Sequence, residues 1–279
     1  MRFLPDPRRL GMLVGILFCC PLTAQVPAEK PFVKYDEKPA RYLKRLHRKG
    51  TSAPSDARHA FRADYPGGFA AWQTDAHGIL AGLLGLDRIA ADASGHEPVV
   101  RLAKAVQEDG YQRQLGEIET EPGVTIPFWL LVPDGTTRKP RPLAICAHGH
   151  DRDGWNTYAG VYRDEEHRTS TEAKDGNVGV QAVQRGFVTL VPATRGLAEA
   201  ASIPDPKGRH GNRPCRAQLI HCLLAGRTAI GERVWDTQRI LDWGLATLPA
   251  VHKEKVLMLG NSGGGVMTVY AAALDRRIT

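Results

Sequence analysis

Lys255-Val256-Leu257-Met258-Leu259-Gly260-Asn261-Ser262-Gly263-Gly264-Gly265 is the stretch that decides the fold. Its apolar start reads as a short buried strand, and Val266 to Leu274 after it reads as a helix. Between them lies a sharp G-x-S-x-G turn with Ser262 at its apex. Glycine at 260 and 264 lets two backbone segments approach closely while the serine takes a strained conformation. Such strain lifts the hydroxyl off the sheet and aims the next backbone N–H at whatever the hydroxyl attacks. A glycine-rich loop cradling a phosphate is the rival reading. A P-loop needs Lys and Ser/Thr after Gly265, where Val266 and Met267 stand, and a dinucleotide fingerprint needs a third glycine near Thr268.

Upstream, two patterns meet. Residues 29 to 110 carry apolar positions at helical spacing, as in Ile79 to Leu86, and are expected to form a helical extension. Tyr111 to Ile118 and Thr125 to Val132 then read as two strands joined at Glu121-Pro122-Gly123. Strands alternate with helices from there: Leu143 to Ala147, a short helix over Val178 to Arg185, Phe187 to Val191, and a helix from Thr228 to Trp243. A hairpin followed by β-α-β-α-β predicts an α/β fold with a mixed, mostly parallel sheet flanked by helices.

Composition bounds the partners. Of 279 residues, 42% are hydrophobic and 24% charged, ordinary for a globular protein. The formal charge of +7 is spread out, densest over Lys34 to Lys49, where no aromatic platform for nucleic acid accompanies it. Arg2, Arg8 and Arg9 precede an apolar run, Gly11 to Cys20, with small residues at Thr23-Ala24. That pattern predicts a cleaved secretion signal over 1–24; it is too short to span a membrane, which needs about 20 residues. Phe18 is bulky for the residue before a lipoprotein cysteine. Cys146, Cys215 and Cys222 remain after cleavage; the last two could be bridged or share one helix face as free thiols.

Four segments, in order, resemble the α/β-hydrolase superfamily, and within it secreted acetylxylan-esterase-like and dienelactone-hydrolase-like enzymes. They are Ala147-His148-Gly149-His150, Pro192-Ala193-Thr194-Arg195-Gly196, the helix Gly231 to Asp242, and the turn Gly260 to Gly264. The resemblance covers residues 111–279, which it marks as a partial hydrolase domain behind the 25–110 extension. It implies a serine esterase without cofactor, acting through an acyl-enzyme on small-molecule or carbohydrate esters such as acetylated xylan. Nucleic acid and a stable membrane span are not expected. A lactone or peptide substrate stays open, as does a non-catalytic binding role. The resemblance makes Ser262 the nucleophile and the N–H groups of Gly263 and His150 the oxyanion donors. His148 would pack and hydrogen-bond beneath the loop. A metal on His148 and His150 is not expected, since Arg152 and Asp153 break the binuclear H-x-H-x-D-H pattern. Arg195 either braces the turn through a carboxylate such as Asp236 or touches substrate. Trp155 and Tyr158 either line a sugar-binding mouth or pack.

The chain also departs from the family. All 10 histidines precede Ser262, and the acid and base normally follow the serine. Arg276 to Thr279 reads as the entry to a further strand. The expectation is therefore a hydrolase chain truncated at its C-terminus and inactive by itself. Gly263 stands where carbohydrate acetyl esterases of this kind often carry glutamine.

Overall fold

The structure is a computed structural model that describes residues 41, 43–45, 59–135, 139–151, 153–205, 208, 214–248 and 251–279. The expected signal over 1–24 lies outside the described residues. So does the basic stretch 34–49, apart from the helical residues 41 and 43–45. The chain divides into two units, Met1–Arg62 and Ala63–Thr279, and the second contains the sheet.

Burial sorts the strands into two kinds. Val124–Pro133 (β4) alternates, with Ile126, Phe128 and Leu130 buried and Thr125, Pro127 and Trp129 less so. That is how a strand with unequal faces reads. It pairs antiparallel with Tyr111–Glu121 (β3) from Tyr111↔Pro133 to Glu121↔Val124, and Gly123 turns the hairpin at φ 76°. Arg141–Ala147 (β5) and Val188–Pro192 (β6) are apolar on both faces, and Leu143 to Ala147 are fully buried. Only strands covered on both sides tolerate that, and β5 pairs in parallel with β6 and with Val251–Gly260 (β7). Val99–Leu102 (β1) and Val106–Glu108 (β2) both pair with β3, so the order is β1-β3-β4-β6-β5-β7.

These two strands correct the expected boundary at 110. Helical pattern holds for Gly68–Leu84 (α1) and Leu86–Asp92 (α2), but β1 and β2 are strands and belong to the sheet unit. Their side chains are mostly exposed, so no burial period marked them in the sequence.

The connections decide where a site can form. From β5 the chain passes through Gly154–Tyr158 (α3), Glu165–Glu172 (α4) and Val178–Gln184 (α5) to β6 on one side. From β6 it passes through Pro214–Leu224 (α6) and Ala229–Thr247 (α7) to β7 on the other side of β5, then into Gly263–Leu274 (α8). Right-handed crossovers running in opposite directions cover opposite faces of the sheet. The carboxyl ends of β5 and β7 are therefore the point at which the strand order reverses, the place where ligands bind in open α/β sheets. At the chain's end, Ile278 forms a parallel bridge with Val256, and the Thr279 N–H donates to the Val256 carbonyl at 2.9 Å.

Candidate active site

The turn after β7 sets Ser262 at φ 51° and ψ −116°, a left-handed backbone that a residue with a side chain rarely takes. Strain of this kind costs about 1–3 kcal/mol and persists only where the surroundings force it. Here the force is steric. A Cβ on Gly264 would strike the Ala147 carbonyl oxygen at the end of β5. A Cβ on Gly260 would stand 2.5 Å from the Gly264 carbonyl group and 2.8 Å from that same Ala147 oxygen. On Gly149 it would come within 2.9 Å of the Asn261 oxygen and 3.1 Å of the Ser262 Cβ. The β5 exit, the turn and the first residues of α8 thus pack backbone against backbone. Ser262 is left exposed at the N-terminus of α8, where Gly263 holds the first helical N–H. Among the described residues, no side chain hydrogen-bonds to the Ser262 hydroxyl.

His148 and His150 leave β5 two residues apart and do different things. His148 is fully buried. Its Nε2 accepts from the Thr194 N–H at 3.0 Å, which assigns the ring proton to Nδ1, and Nδ1 donates to the Gly149 carbonyl at 2.8 Å. Burial, against the help of the Gly149 carbonyl, pulls its pKa down to about 4, so the ring is neutral at pH 7. Both nitrogens are engaged, and the ring ties the β5 exit to the β6 exit. His150 is exposed, and its ring lies against Gly263.

The β6 exit carries Arg195 into a buried cluster of charges. Its guanidinium binds both oxygens of Asp236, at 2.9 Å from Nε and 2.5 Å from Nη2, and reaches Glu121 at 2.9 Å and Glu232 at 3.2 Å. Desolvation opposes the Arg195 charge, but these three carboxylates outweigh it and hold its pKa above the ordinary arginine value. Burial raises the pKa of Asp236, against the pull of Arg195 and of the Thr120 hydroxyl, which donates to Asp236 at 2.7 Å. Arg227 closes the cluster on Glu121 at 2.7 Å, Glu232 at 3.3 Å and Asp92 at 2.9 Å. Arg233 donates to the Arg195 carbonyl at 2.8 Å and to Gln218, and Gln218 donates to Glu232. All Arg195 donors face carboxylates inside the fold, which favours bracing over substrate contact.

Several of these partners were not legible as site residues. Glu232 stands one turn before Asp236, the carboxylate expected for Arg195, on a helix whose neighbours Val234, Ile240 and Leu241 are buried, and that spacing was the available signal. Glu121 looked like part of a hairpin turn, and nothing local marks Gln218 or Arg227. Trp155 is not at a mouth: it is buried, stacked on Trp129 at 5.9 Å, and Trp129 donates to Asn156 at 2.8 Å. Tyr158 is half-buried. Cys146, Cys215 and Cys222 are free thiols, and burial pushes the Cys146 thiol up to about 12, so it is no nucleophile at neutral pH. Cavities of about 440 and 520 Å³ flank Arg239 on α7, and neither is lined by Ser262, Gly263 or His150. No helix among the described residues is long and apolar enough to cross a membrane.

Comparison with known proteins agrees with this architecture. No curated protein matches the sequence. Among solved structures, a candidate acetyl xylan esterase of Bacteroides fragilis superposes with a TM-score of 0.65 at 19% identity, covering 87% of this chain and 59% of that one. A methylesterase gives 0.53 at 21% identity, over 74% and 39%. Acetyl xylan esterase 1 from a Thermoanaerobacterium species gives 0.50 at 18%, over 71% and 56%. The chain thus spans between about two fifths and three fifths of the length of these structures, which share its fold. Residues 52–278, carrying the sheet, the turn and the buried charges, match the Abhydrolase family, and the chain belongs to that α/β-hydrolase family.

Proposed function

We propose that this chain carries the nucleophile and oxyanion half of a serine esterase. The observation that carries the reading is the strained backbone of Ser262, exposed at a helix N-terminus and held by three glycine contacts. In the proposed reaction Ser262 Oγ attacks the ester carbonyl as a base removes its proton. The N–H groups of Gly263 and His150 stabilise the oxyanion, each worth on the order of 3 kcal/mol. Collapse expels the alcohol with a proton and leaves an acyl-serine. Water then attacks, releases the acid and restores the hydroxyl. His148, Arg195 and Asp236 act by positioning. His148 fixes the loop that bears His150, and the Arg195–Asp236 pair holds the β6 exit to which His148 is bonded.

Acetyl groups on carbohydrate are the proposed substrate class, supported by the names of two of the similar structures. The sequence pattern of a secretion signal over 1–24 supports secretion, where such polymers are met. A non-catalytic binding role is the second reading, favoured by the Ser262 hydroxyl's lack of a hydrogen-bonded base among the described residues.

The test uses that lack. The 279-residue chain alone should show little or no turnover of 4-nitrophenyl acetate, and added imidazole should raise the rate by supplying a base. Imidazole cleaves this ester by itself, so the rates are taken above that of imidazole and ester alone; Ser262→Ala should abolish both the basal and the imidazole-dependent part that remains. Equal rates in the two proteins would remove Ser262 from the chemistry and leave the binding role.

A further inference from the structure

Gly263 lacks a side chain where two other side chains already occupy the space. A Cβ there would stand 2.7 Å from Leu197 Cδ1 and 3.1 Å from both Cε1 and Nδ1 of His150. The imidazole therefore lies on the residue whose N–H is the proposed oxyanion donor. Leu197 reaches the same spot from the β6 exit, where it is 5% exposed and its N–H donates to the Thr194 carbonyl at 2.9 Å. Gly149, one residue before His150, packs within 3.1 Å of the Ser262 Cβ when given a Cβ of its own, so residue 150 emerges beside the nucleophile.

A carbonyl oxygen held at the Gly263 N–H leaves its carbon with two substituents to place. The alcohol half, if part of a polymer, must run out to solvent. The acyl half then turns toward the side closed by His150 and Leu197. We propose that the His150 side chain, with Leu197, is a specificity-determining wall that limits the acyl group to about the size of acetyl, beyond any role of the His150 main chain. This rests on the serine-esterase reading. Gly263 is the condition for the wall, because a side chain at 263 would displace the ring.

The test compares 4-nitrophenyl butyrate with the acetate in the presence of imidazole. His150→Ala keeps the main-chain donor and removes the ring. It should raise the ratio of kcat/KM for butyrate over acetate by about 10-fold, since one or two methylenes in a pocket are worth that much or more. A merely structural role would scale both esters alike, and an unchanged ratio overturns the proposal. Leu197→Ala should shift the ratio in the same direction, and a fall would count against the wall. Thermal melting supplies a readout free of turnover. Gly263→Ala should lower Tm clearly in the parent and much less beside His150→Ala. Equal drops in both backgrounds would mean that the ring is not in that space. If no Ser262-dependent turnover is found, the esterase reading fails by itself, and the melting cycle alone then decides where the ring sits.

Discussion

The turn at Ser262 follows β7 and the cluster around Arg195 follows β6, yet opposite physics holds them. At the turn, position comes from the absence of side chains: Gly149, Gly260 and Gly264 let three backbones touch, and nothing charged takes part. At the cluster, position comes from long charged side chains taken out of water, with Arg195 shared among Glu121, Glu232 and Asp236. The turn tolerates no added atom. The cluster tolerates no lost charge, because removing one member of a buried pair strands its partner. A catalytic backbone must be placed to a fraction of an ångström, which hard contact does well. A loop that only has to stay in place can be held by many moderate bonds.

Breaking the turn should have the largest effect. Gly264→Ala drives a methyl into the Ala147 carbonyl, and a loss above about 4 kcal/mol is expected, read as a collapse of soluble folded protein or of the urea midpoint. A midpoint near that of the parent would show that the backbones are not in contact. Next comes the cluster. Asp236→Ala leaves Arg195 short of a bidentate partner and should cost about 3–5 kcal/mol, measured by urea unfolding. Asp236→Asn, which keeps the shape and one acceptor, should cost less, and equal losses would assign the effect to packing and not to charge.

The link between the two regions titrates. His148 is held neutral with its pKa lowered from 6.5 to about 4. The unfolded chain binds the proton more readily, so the stability that His148 contributes is complete above pH 6.5. It is lost as pH falls toward 4 and changes no further below that. The full span is worth about 3 kcal/mol. Urea midpoints between pH 7 and 4 should fall, and His148→Gln should flatten that part of the profile. A variant with the parent's slope would assign the loss elsewhere. Smallest of all is the pair Arg88–Asp92 on α2, with side chains 62% and 36% exposed. Arg88→Ala should leave the melting temperature within error, since exposed pairs contribute little.

Much of this was legible beforehand, for identifiable reasons. Buried parallel strands write themselves as unbroken apolar runs, so Leu143 to Ala147 and Phe187 to Val191 were readable. A helix with one buried face writes a period, so α7 was readable from Thr228 onward. The exposed strands β1 and β2 carry neither signal, and the pairing that makes them strands comes from β3. Trp155 shows the same limit. Its loop position suits an exposed platform or a core residue equally, and only Trp129 on β4 settles that it packs.

By itself, the sequence determined that a strand, a glycine-edged serine turn and a helix follow one another, because local sterics admit little else for Gly260 to Gly264. It also determined the α/β class, because the period of apolar residues is a local property. Only the tertiary structure decided which distant groups meet there. Glu121 and Asp236 lie 115 residues apart and share one guanidinium. His148 faces Thr194, and the His150 ring fills the place that Gly263 leaves open. Those encounters depend on the strand order that brings β5, β6 and β7 together, and no local pattern encodes that order.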